Sequence, residues 1–291
     1  MLRLALPKGS LEEETRRLFR EASLDINGDE DSAWIDDRRI SETRFFRAQD
    51  IAKLIEERYF DLGITGYDWI REPRADILEL SDLGYGKVRL VLFVAERSGI
   101  TEPRQIKPNS VVTSEYENLT RDYFEGLGIP IRYRPSYGAT EQKVSARVAD
   151  IGLDNRATPI GRRGTIEKAG GLRIIDTYIE STTRLITNEE CYSRNREDVD
   201  DITVLLDGAR DARNKVVLEM NVPQYALDRV AQELPSMRSP TISQLYNGGA
   251  GIIWYAVKTV VSREEAKELI PRLKRYGVKD IIEYRLTKVI R

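Results

Sequence analysis

The chain has 291 residues, 41% of them hydrophobic and 32% charged, and its 46 basic and 48 acidic residues leave a formal net charge of -2. This balance is typical of a globular protein, and it gives no overall field that would attract nucleic acid or an anionic membrane. The absence of histidine excludes Ser-His-Asp and Cys-His catalysis and zinc–histidine sites, and the single cysteine excludes an internal disulfide.

The length predicts about two domains. No stretch approaches the roughly 20 apolar residues that span a bilayer, and the apolar run at the N-terminus is too short for a signal peptide. We therefore expect a cytoplasmic protein without nucleic-acid or membrane partners.

The first predicted strand lies at residues 2–6, where leucines alternate with other residues. It ends at a Pro-Lys-Gly-Ser turn, and a helix is predicted to follow with Ser10 as its N-cap and Glu13 at the capping-box position. Lys8 and Gly9 in this turn form a candidate anion site at a helix N-terminus. The alternative is an ordinary turn.

The next segment has a similar arrangement. A helix with apolar residues at helical spacing is predicted to begin near Arg47, with Asp50 as its cap. A short buried strand then ends in a Gly66-Tyr67-Asp68 turn. Gly66 would let the backbone approach a ligand, Tyr67 would stack on a base and Asp68 would accept hydrogen bonds. The alternative is that Tyr67 packs in the interior and Asp68 caps a helix.

Another predicted strand ends at Asp154, within VADIGLDNRATPIGRRGT (148–165). The loop after it combines backbone N–H groups, two arginines and a following helix N-terminus, which together suit a phosphate. Asp154 would meet ribose hydroxyls or a metal. The alternative is a solvated loop whose arginines face water. The residues of the predicted anion cradle are Thr158, Gly161, Arg162, Arg163, Gly164 and Thr165.

Strand-like runs at 88–95, 110–113, 129–135 and 173–179 alternate with helical stretches, which predicts an α/β fold. The last third has the order βαββαβ, which is that of a ferredoxin-like plait. Its predicted strands lie at 215–222, 239–247, 252–261 and 280–290, and its predicted helices at 224–234 and 263–277.

A set of ordered motifs covers nearly the whole chain and resembles the long form of ATP phosphoribosyltransferase. The motifs are ALPKG, RAQDI, DLGITGYD, DLGYGKVRLVL, VVTSEYENLTRDYF, GATE, VAD, GLRIIDTYIESTTRLI, NVP and LPSMRSPT. The resemblance implies a two-lobed catalytic region like the periplasmic binding proteins, with a C-terminal ferredoxin-like regulatory domain. Lobe I would comprise residues 1–95 and 180–198 and lobe II residues 96–179, while residues 199–291 would form a linker helix and the regulatory domain.

The reaction implied by the resemblance joins ATP to phosphoribosyl pyrophosphate with Mg²⁺, and it releases N1-(5-phosphoribosyl)-ATP and pyrophosphate in the first step of histidine biosynthesis. Histidine would act as a feedback inhibitor on the C-terminal domain. The implied assembly is a homo-oligomer, either a dimer or a hexamer. The sequence does not identify the residues that would bind the metal.

The resemblance also implies site residues by position. The catalytic candidates are Lys8, Glu141 and Asp154. The candidates for binding phosphoribosyl pyrophosphate are Asp150, Asp154 and the six residues of the predicted cradle. The candidates for binding ATP are Gly9, Arg47, Asp50, Gly66, Tyr67, Asp68, Thr113 and Tyr116.

The predicted cradle departs from the family's compact Ser-Thr-Gly-x-Thr run, because Pro159 stands where a glycine N–H would donate. Two interpretations follow. Either Arg162, Arg163, Gly164 and Thr165 rebuild the pyrophosphate site, or the loop is degenerate and the chain is a paralogue. Such a paralogue would bind a small ligand in a regulatory role, or transfer phosphoribose to another acceptor.

Overall fold

The computed structural model describes residues 1–157, 170–235, 239–246 and 251–290. Its strands are β1 (Leu2–Pro7), β2 (Ile26–Asn27), β3 (Trp34–Ile35), β4 (Ile40–Phe46), β5 (Leu62–Gly66), β6 (Leu78–Asp82), β7 (Val88–Ala95), β8 (Ser110–Ser114), β9 (Ile131–Pro135), β10 (Ile151–Ala157), β11 (Leu172–Ser181), β12 (Thr183–Thr187), β13 (Lys215–Pro223), β14 (Thr241–Gln244), β15 (Trp254–Ser262) and β16 (Lys279–Arg285). Its α-helices are α1 (Glu12–Glu21), α2 (Ala48–Glu56), α3 (Tyr67–Arg71), α4 (Glu117–Leu127), α5 (Thr140–Ser145), α6 (Glu189–Arg194), α7 (Arg196–Ala212), α8 (Leu227–Glu233) and α9 (Arg263–Arg275).

Across these ranges the chain divides into two compact units, one of residues 1–20 and 24–203 and the other of residues 21–23 and 204–291. The first unit contains two five-stranded sheets, and the second contains one four-stranded sheet. None of the helices in the described ranges has the length and apolar character needed to cross a membrane.

The first lobe is built on the sheet β4-β1-β5-β12-β6. Its interior strand β1 forms because Leu2, Leu4 and Leu6 are fully or almost fully buried, and each such side chain contributes about 1.5–3 kcal/mol. Strand β1 runs parallel to both β4 and β5. The carboxyl ends of these three strands therefore meet at one edge of the sheet, where ligands of open α/β sheets commonly bind.

The second lobe is built on the sheet β11-β7-β10-β8-β9. Strand β8 runs parallel to β9 and β10, so these three strands also end at a common edge. Strand β7 pairs with β10 and β11 in this sheet. The predicted boundary of lobe I at residue 95 is therefore wrong, because β7 forms its hydrogen bonds within lobe II.

The chain passes between the lobes at residues 83–87 and again at Thr182. The two passages are joined by backbone hydrogen bonds, from the N–H of Leu83 to the carbonyl of Thr183 (2.9 Å) and from the N–H of Thr183 to the carbonyl of Tyr85 (3.0 Å). Gly86 has a φ of +65°, and a Cβ there would lie 2.7 Å from Thr183 Oγ1. A side chain at position 86 would therefore be strained in its backbone and would crowd the side chains of Thr183 and Leu11.

The second unit has the sheet order β14-β15-β13-β16, with every neighbouring pair antiparallel. Helices α8 and α9 supply apolar side chains to the core beneath the sheet, among them Val230, Leu269 and Leu273. This connectivity is that of the predicted ferredoxin-like plait. The predicted fold class, two α/β lobes followed by a plait, is confirmed.

Two predicted helix caps are wrong. Ser10 lies inside a 3₁₀ turn (Gly9–Leu11) whose N-cap is Lys8, and α1 begins only at Glu12. Helix α2 has Arg47 as its N-cap, which leaves Asp50 in the first turn. An acidic side chain there still favours the positive helix end.

Candidate functional site

The edge of lobe I gathers Lys8, Gly9 and Arg47 from neighbouring strand ends. The backbone N–H of Lys8 donates to the carbonyl of Phe46 at 2.8 Å, which keeps the turns after β1 and β4 adjacent. Lys8 and Arg47 are both exposed, as is Asp50 one turn further along α2. Two cations therefore project at the edge where the sequence predicts ATP to bind.

The turn after β5 places a carboxylate in the interior, because Asp68 is only 4% exposed. Its Oδ2 accepts from the Tyr116 hydroxyl (2.7 Å) and its Oδ1 from the Ser181 hydroxyl (2.6 Å). A Cβ at Gly66 would lie 2.3 Å from Asp68 Oδ1. Gly66 thus leaves room for the carboxylate of this chain to fold back.

Tyr67 lies beside two arginines. The Arg71 Nη1 donates to the Tyr67 hydroxyl at 2.9 Å, and the guanidinium carbon of Arg184 lies 5.2 Å from the centre of the Tyr67 ring. Arg184 also forms ion pairs with Glu79 and Asp82. The ring is therefore partly engaged by protein cations, and its stacking on a base stays a prediction.

Tyr116 is fully buried and stacks on Trp69 with their ring centres 4.4 Å apart. Burial, followed by the charge of Asp68, raises the pKa of the Tyr116 phenol well above its ordinary value, so the hydroxyl keeps its proton. The Thr113 hydroxyl is also buried, and within the described residues it has no hydrogen-bond partner. Both side chains belong to lobe II, and their contact with ATP stays a prediction.

The edge of lobe II carries Asp154, which is partly buried in the middle of β10, just past the level where the neighbouring strand β8 ends. The predicted strand end at Asp154 is wrong, because β10 continues to Ala157. Burial raises its pKa from 3.8 to about 6, against the opposing effect of hydrogen bonds from the Thr140 hydroxyl and the Asn155 N–H. The neighbouring charges of Glu115 and Glu141 raise the pKa further. The structure therefore brings Asp154 and Glu141 together.

A series of hydrogen-bonded side chains leads to Asp154. The Lys143 ammonium donates to the Ser136 hydroxyl at 2.7 Å, and that hydroxyl lies 2.9 Å from the Thr140 hydroxyl, which bonds Asp154. Ser136 and Thr140 are buried. The carboxylate of Asp154 is thus held in one orientation by groups that sequence reasoning did not single out.

Asp150 lies at the opposite end of the lobe II sheet from Asp154. Its carboxylate accepts the backbone N–H of Val111 at 2.8 Å, at the start of β8. It also lines a cavity of about 690 Å³ on that side of the sheet. Asp150 directly precedes β10, and four steps of extended chain separate it from Asp154 by roughly 13 Å, so the structure does not bring Asp150 to the edge that carries Asp154.

The predicted phosphate cradle follows β10 directly, but it lies outside the described residues. Its members are Thr158, Gly161, Arg162, Arg163, Gly164 and Thr165.

A carboxylate missed by the sequence reasoning joins the two lobes. Glu72 follows α3 in lobe I, and it accepts the backbone N–H groups of Asn118 (3.0 Å) and Leu119 (2.9 Å) in the first turn of α4 in lobe II. The Asn118 amide donates in return to the Glu72 carbonyl at 2.8 Å. Burial raises the pKa of Glu72. No local sequence signal identifies a helix cap supplied from 46 residues away.

The chain matches two family models. The first, described as ATP phosphoribosyltransferase, matches residues 47–208, and the second, described as HisG, C-terminal domain, matches residues 212–288. Their junction lies near the end of α7.

Full-length relatives carry the same description. An ATP phosphoribosyltransferase of Desulforudis audaxviator is 41% identical, with 99% of both chains covered. Another, of Thermodesulfovibrio yellowstonii, is 40% identical over 100% of this chain and 98% of its own.

A solved structure, the ATP phosphoribosyl transferase (HisG:HisZ) complex from Thermotoga maritima, is similar to 71% of this chain and 99% of its own, with 23% identity and a TM-score of 0.60. At this identity the match supports the fold of the catalytic region.

Proposed function

The chain belongs to the ATP phosphoribosyltransferase family, and we propose that the facing edges of its two lobes carry the family's reaction. It joins ATP to phosphoribosyl pyrophosphate, giving N1-(5-phosphoribosyl)-ATP and pyrophosphate in the first step of histidine biosynthesis. The observation that supports this placement is the hydrogen bond of 2.7 Å from Tyr116 in lobe II to Asp68 in lobe I. It holds the predicted ATP edge against the edge that bears Asp154. The paralogue interpretation is not favoured, because full-length relatives near 40% identity are ATP phosphoribosyltransferases.

The chemistry asks little of acid–base groups. The lone pair of adenine N1 forms a bond to the anomeric carbon while the bond from that carbon to pyrophosphate breaks. Such a reaction depends on orientation and on stabilising charge at both ends of the breaking bond. Ionised Asp154 would accept hydrogen bonds from the ribose hydroxyls, and its negative charge would stabilise the positive charge that develops on the sugar. Lys8 and Arg47 would neutralise phosphate charge at the ATP edge.

The family uses a divalent metal, and we propose Mg²⁺. Among the described residues no three acidic or cysteine side chains form a metal-binding group. Magnesium is commonly held by substrate phosphates with one or two carboxylates and water. The acidic surroundings of Glu115 and Glu141 near Asp154 suit such an ion, with Glu141 as the carboxylate that would hold it. The ion would supply charge neutralisation to the leaving pyrophosphate.

The reaction gives the first test. Purified protein with ATP, phosphoribosyl pyrophosphate and Mg²⁺ should release pyrophosphate and accumulate the ultraviolet absorbance of N1-substituted adenine.

The double variant Arg162→Ala/Arg163→Ala should raise the KM for phosphoribosyl pyrophosphate by about tenfold or more, because guanidinium–phosphate pairs are strong. The KM for ATP should change much less. Equal effects on the KM values of both substrates would mean that these arginines face water and do not bind pyrophosphate. A wild-type protein without turnover would contradict the proposed reaction.

Histidine inhibition is proposed at a pocket in the plait. The pocket has a volume of about 250 Å³ and is lined by Asn221, Tyr246, Trp254, Lys279 and Asp280 among others. The Asn221 amide donates to the Asp280 carboxylate at 2.8 Å, and the Lys279 ammonium lies 5.6 Å from the centre of a Trp254 ring. A free amino acid has groups that fit each partner. Its ammonium would pair with Asp280, its carboxylate with Lys279, and an imidazole would stack on the aromatic rings.

Asp280→Asn should weaken histidine inhibition by about tenfold or more while turnover without histidine stays unchanged, because only the charge facing the ligand's ammonium is lost. Asparagine suits this position because Asp280 has a φ of +48°, which asparagine tolerates. Asp228→Asn, an exposed acid on α8, is the matched control. If the inhibition constant for histidine is the same in wild type and Asp280→Asn, histidine does not bind in this pocket.

We also propose that the protein acts in the cytoplasm as a homo-oligomer, a dimer or a hexamer. Sedimentation with and without histidine would distinguish these assemblies.

A further inference from the structure

Four polar side chains form a continuous hydrogen-bonded chain across the two lobes, here called the tyrosine network: the exposed Asn155 and the buried Tyr116, Asp68 and Ser181. The Asn155 amide nitrogen lies 3.1 Å from the Tyr116 hydroxyl, which lies 2.7 Å from Asp68 Oδ2. Ser181 lies 2.6 Å from Asp68 Oδ1 and accepts the backbone N–H of Asp68 at 3.1 Å. Asp68, Tyr116 and Ser181 are each at most 4% exposed. The network thus runs from β10 in lobe II to the start of α3 in lobe I.

The donors and acceptors of the network fix its direction. An ionised carboxylate only accepts, so Tyr116 and Ser181 must both donate to Asp68. The Tyr116 hydroxyl has one proton, so its remaining contact must accept from another donor. The Asn155 amide is that donor. Replacing it with an apolar group would leave a buried hydroxyl without its second partner.

Asn155 is also the immediate neighbour of Asp154. Its backbone N–H donates to Asp154 Oδ1 at 2.7 Å, while its side chain reaches Tyr116. Successive side chains of a strand point to opposite sides, which explains how Asp154 bonds Thr140 and Asn155 bonds Tyr116. One residue therefore contacts both the predicted phosphoribosyl edge and the predicted ATP edge.

We propose that Asn155 is a positioning residue, which sets the separation of the two bound substrates through its hydrogen bond to Tyr116. This inference rests on the proposed function, because it takes ATP to bind over Tyr116 and Asp68 and the phosphoribosyl group to bind at Asp154. Bond formation between N1 and the anomeric carbon needs the two atoms within about 3–3.5 Å of each other. A shift of β10 relative to α3 changes that distance without removing any group that binds one substrate alone.

The test compares Asn155→Leu, which keeps size but removes the donor, with Asn155→His, which restores a ring N–H near the amide position. For Asn155→Leu we expect kcat to fall by about 10- to 100-fold, with the KM values for ATP and phosphoribosyl pyrophosphate within about threefold of wild type. Asn155→His, assayed at pH 8, should recover most of the loss. A change of strand packing alone would not be rescued by a donor.

A double-mutant cycle with Tyr116→Phe adds a second readout. If Asn155 acts through the Tyr116 hydroxyl, Asn155→Leu should lower kcat little further in the Tyr116→Phe background. Tyr123→Phe supplies the matched control, because the Tyr123 hydroxyl also donates to a carboxylate, that of Asp176, outside the network. In that background Asn155→Leu should have its full effect.

Unchanged kcat in Asn155→Leu, a loss confined to the KM for ATP, or full additivity with Tyr116→Phe would each overturn the proposal. Should Asn155→Leu fail to fold by circular dichroism, Asn155→Thr, a good strand former whose hydroxyl is too short to reach Tyr116, decides by the same measurements. A wild-type protein without turnover would refute the proposed function, and the positioning role with it. Wild-type turnover with an unaffected Asn155→Leu would refute the positioning role alone.

Discussion

Asp154→Asn should stabilise the protein above pH 6 and at the same time remove most of its activity. The raised pKa of about 6 means that folding disfavours the ionised carboxylate, whose pKa starts from 3.8. Below about pH 4 the group is protonated in both the folded and unfolded states, so it has no effect on stability. The penalty grows as the pH rises from about 4 to 6 and is then constant, at about 2–3 kcal/mol. Asparagine has no charge to bury, so the variant should be more stable by about this amount at pH 8.

Urea denaturation of wild type and Asp154→Asn at several pH values measures this difference. The gap in the free energy of unfolding should close as the pH falls from 6 to 4. A gap that stays constant with pH would show that the carboxylate carries no shifted pKa, and a less stable variant at pH 8 would contradict the burial penalty.

The same substitution should lower kcat/KM for phosphoribosyl pyrophosphate by on the order of 10²–10³, because a carboxylate aimed at the developing charge on the sugar is lost. In wild type, kcat/KM should fall below about pH 6 as Asp154 takes up a proton, and Asp154→Asn should lack that limb. Asp150→Asn is the comparison just before the same strand, and its loss should be much smaller because Asp150 lies at the other end of the sheet. Equal losses of kcat/KM in Asp150→Asn and Asp154→Asn would mean that Asp150 also contacts the substrate.

Glu72→Ala should destabilise the catalytic unit by about 2–3 kcal/mol, because it removes a charged acceptor from two N–H groups at the first turn of α4. The carboxylate is partly buried, so water cannot fully replace it. The loss should appear in urea denaturation and as faster amide exchange at Asn118 and Leu119. Glu72→Gln, which keeps one acceptor oxygen, should fall between wild type and Glu72→Ala.

Glu117→Ala is the matched control for this helix end. Glu117 is an exposed first-turn acid of α4 that pairs with Arg121, and such surface pairs contribute about 0.3–0.5 kcal/mol. Similar losses in Glu72→Ala and Glu117→Ala would mean that α4 is capped within its own lobe and that Glu72 does not join the lobes.

Local sequence alone predicts the order of the turns that hold the candidate site residues. Alternating leucines predicted β1, the run before Gly66 predicted β5, and the spacing of the last third predicted the plait. These features repeat with the period of a strand or helix, so neighbours in sequence are sufficient to reveal them. The motif order likewise indicated the family before any contact was known.

Tertiary structure decided which of these residues work together. It moved the lobe boundary from residue 95 to 83–87, because strand pairing and not strand propensity assigns β7 to a sheet. It also separated Asp150 from Asp154, since Asp150 precedes β10 at the start of β8 while Asp154 lies past the level where β8 ends. The partners of Asp68 lie 48 and 113 residues away in the chain, and those of Glu72 lie 46 and 47 away. Sequence determined the elements and the kind of chemistry here, whereas the burial and hydrogen-bond geometry of the site exist only where distant segments meet.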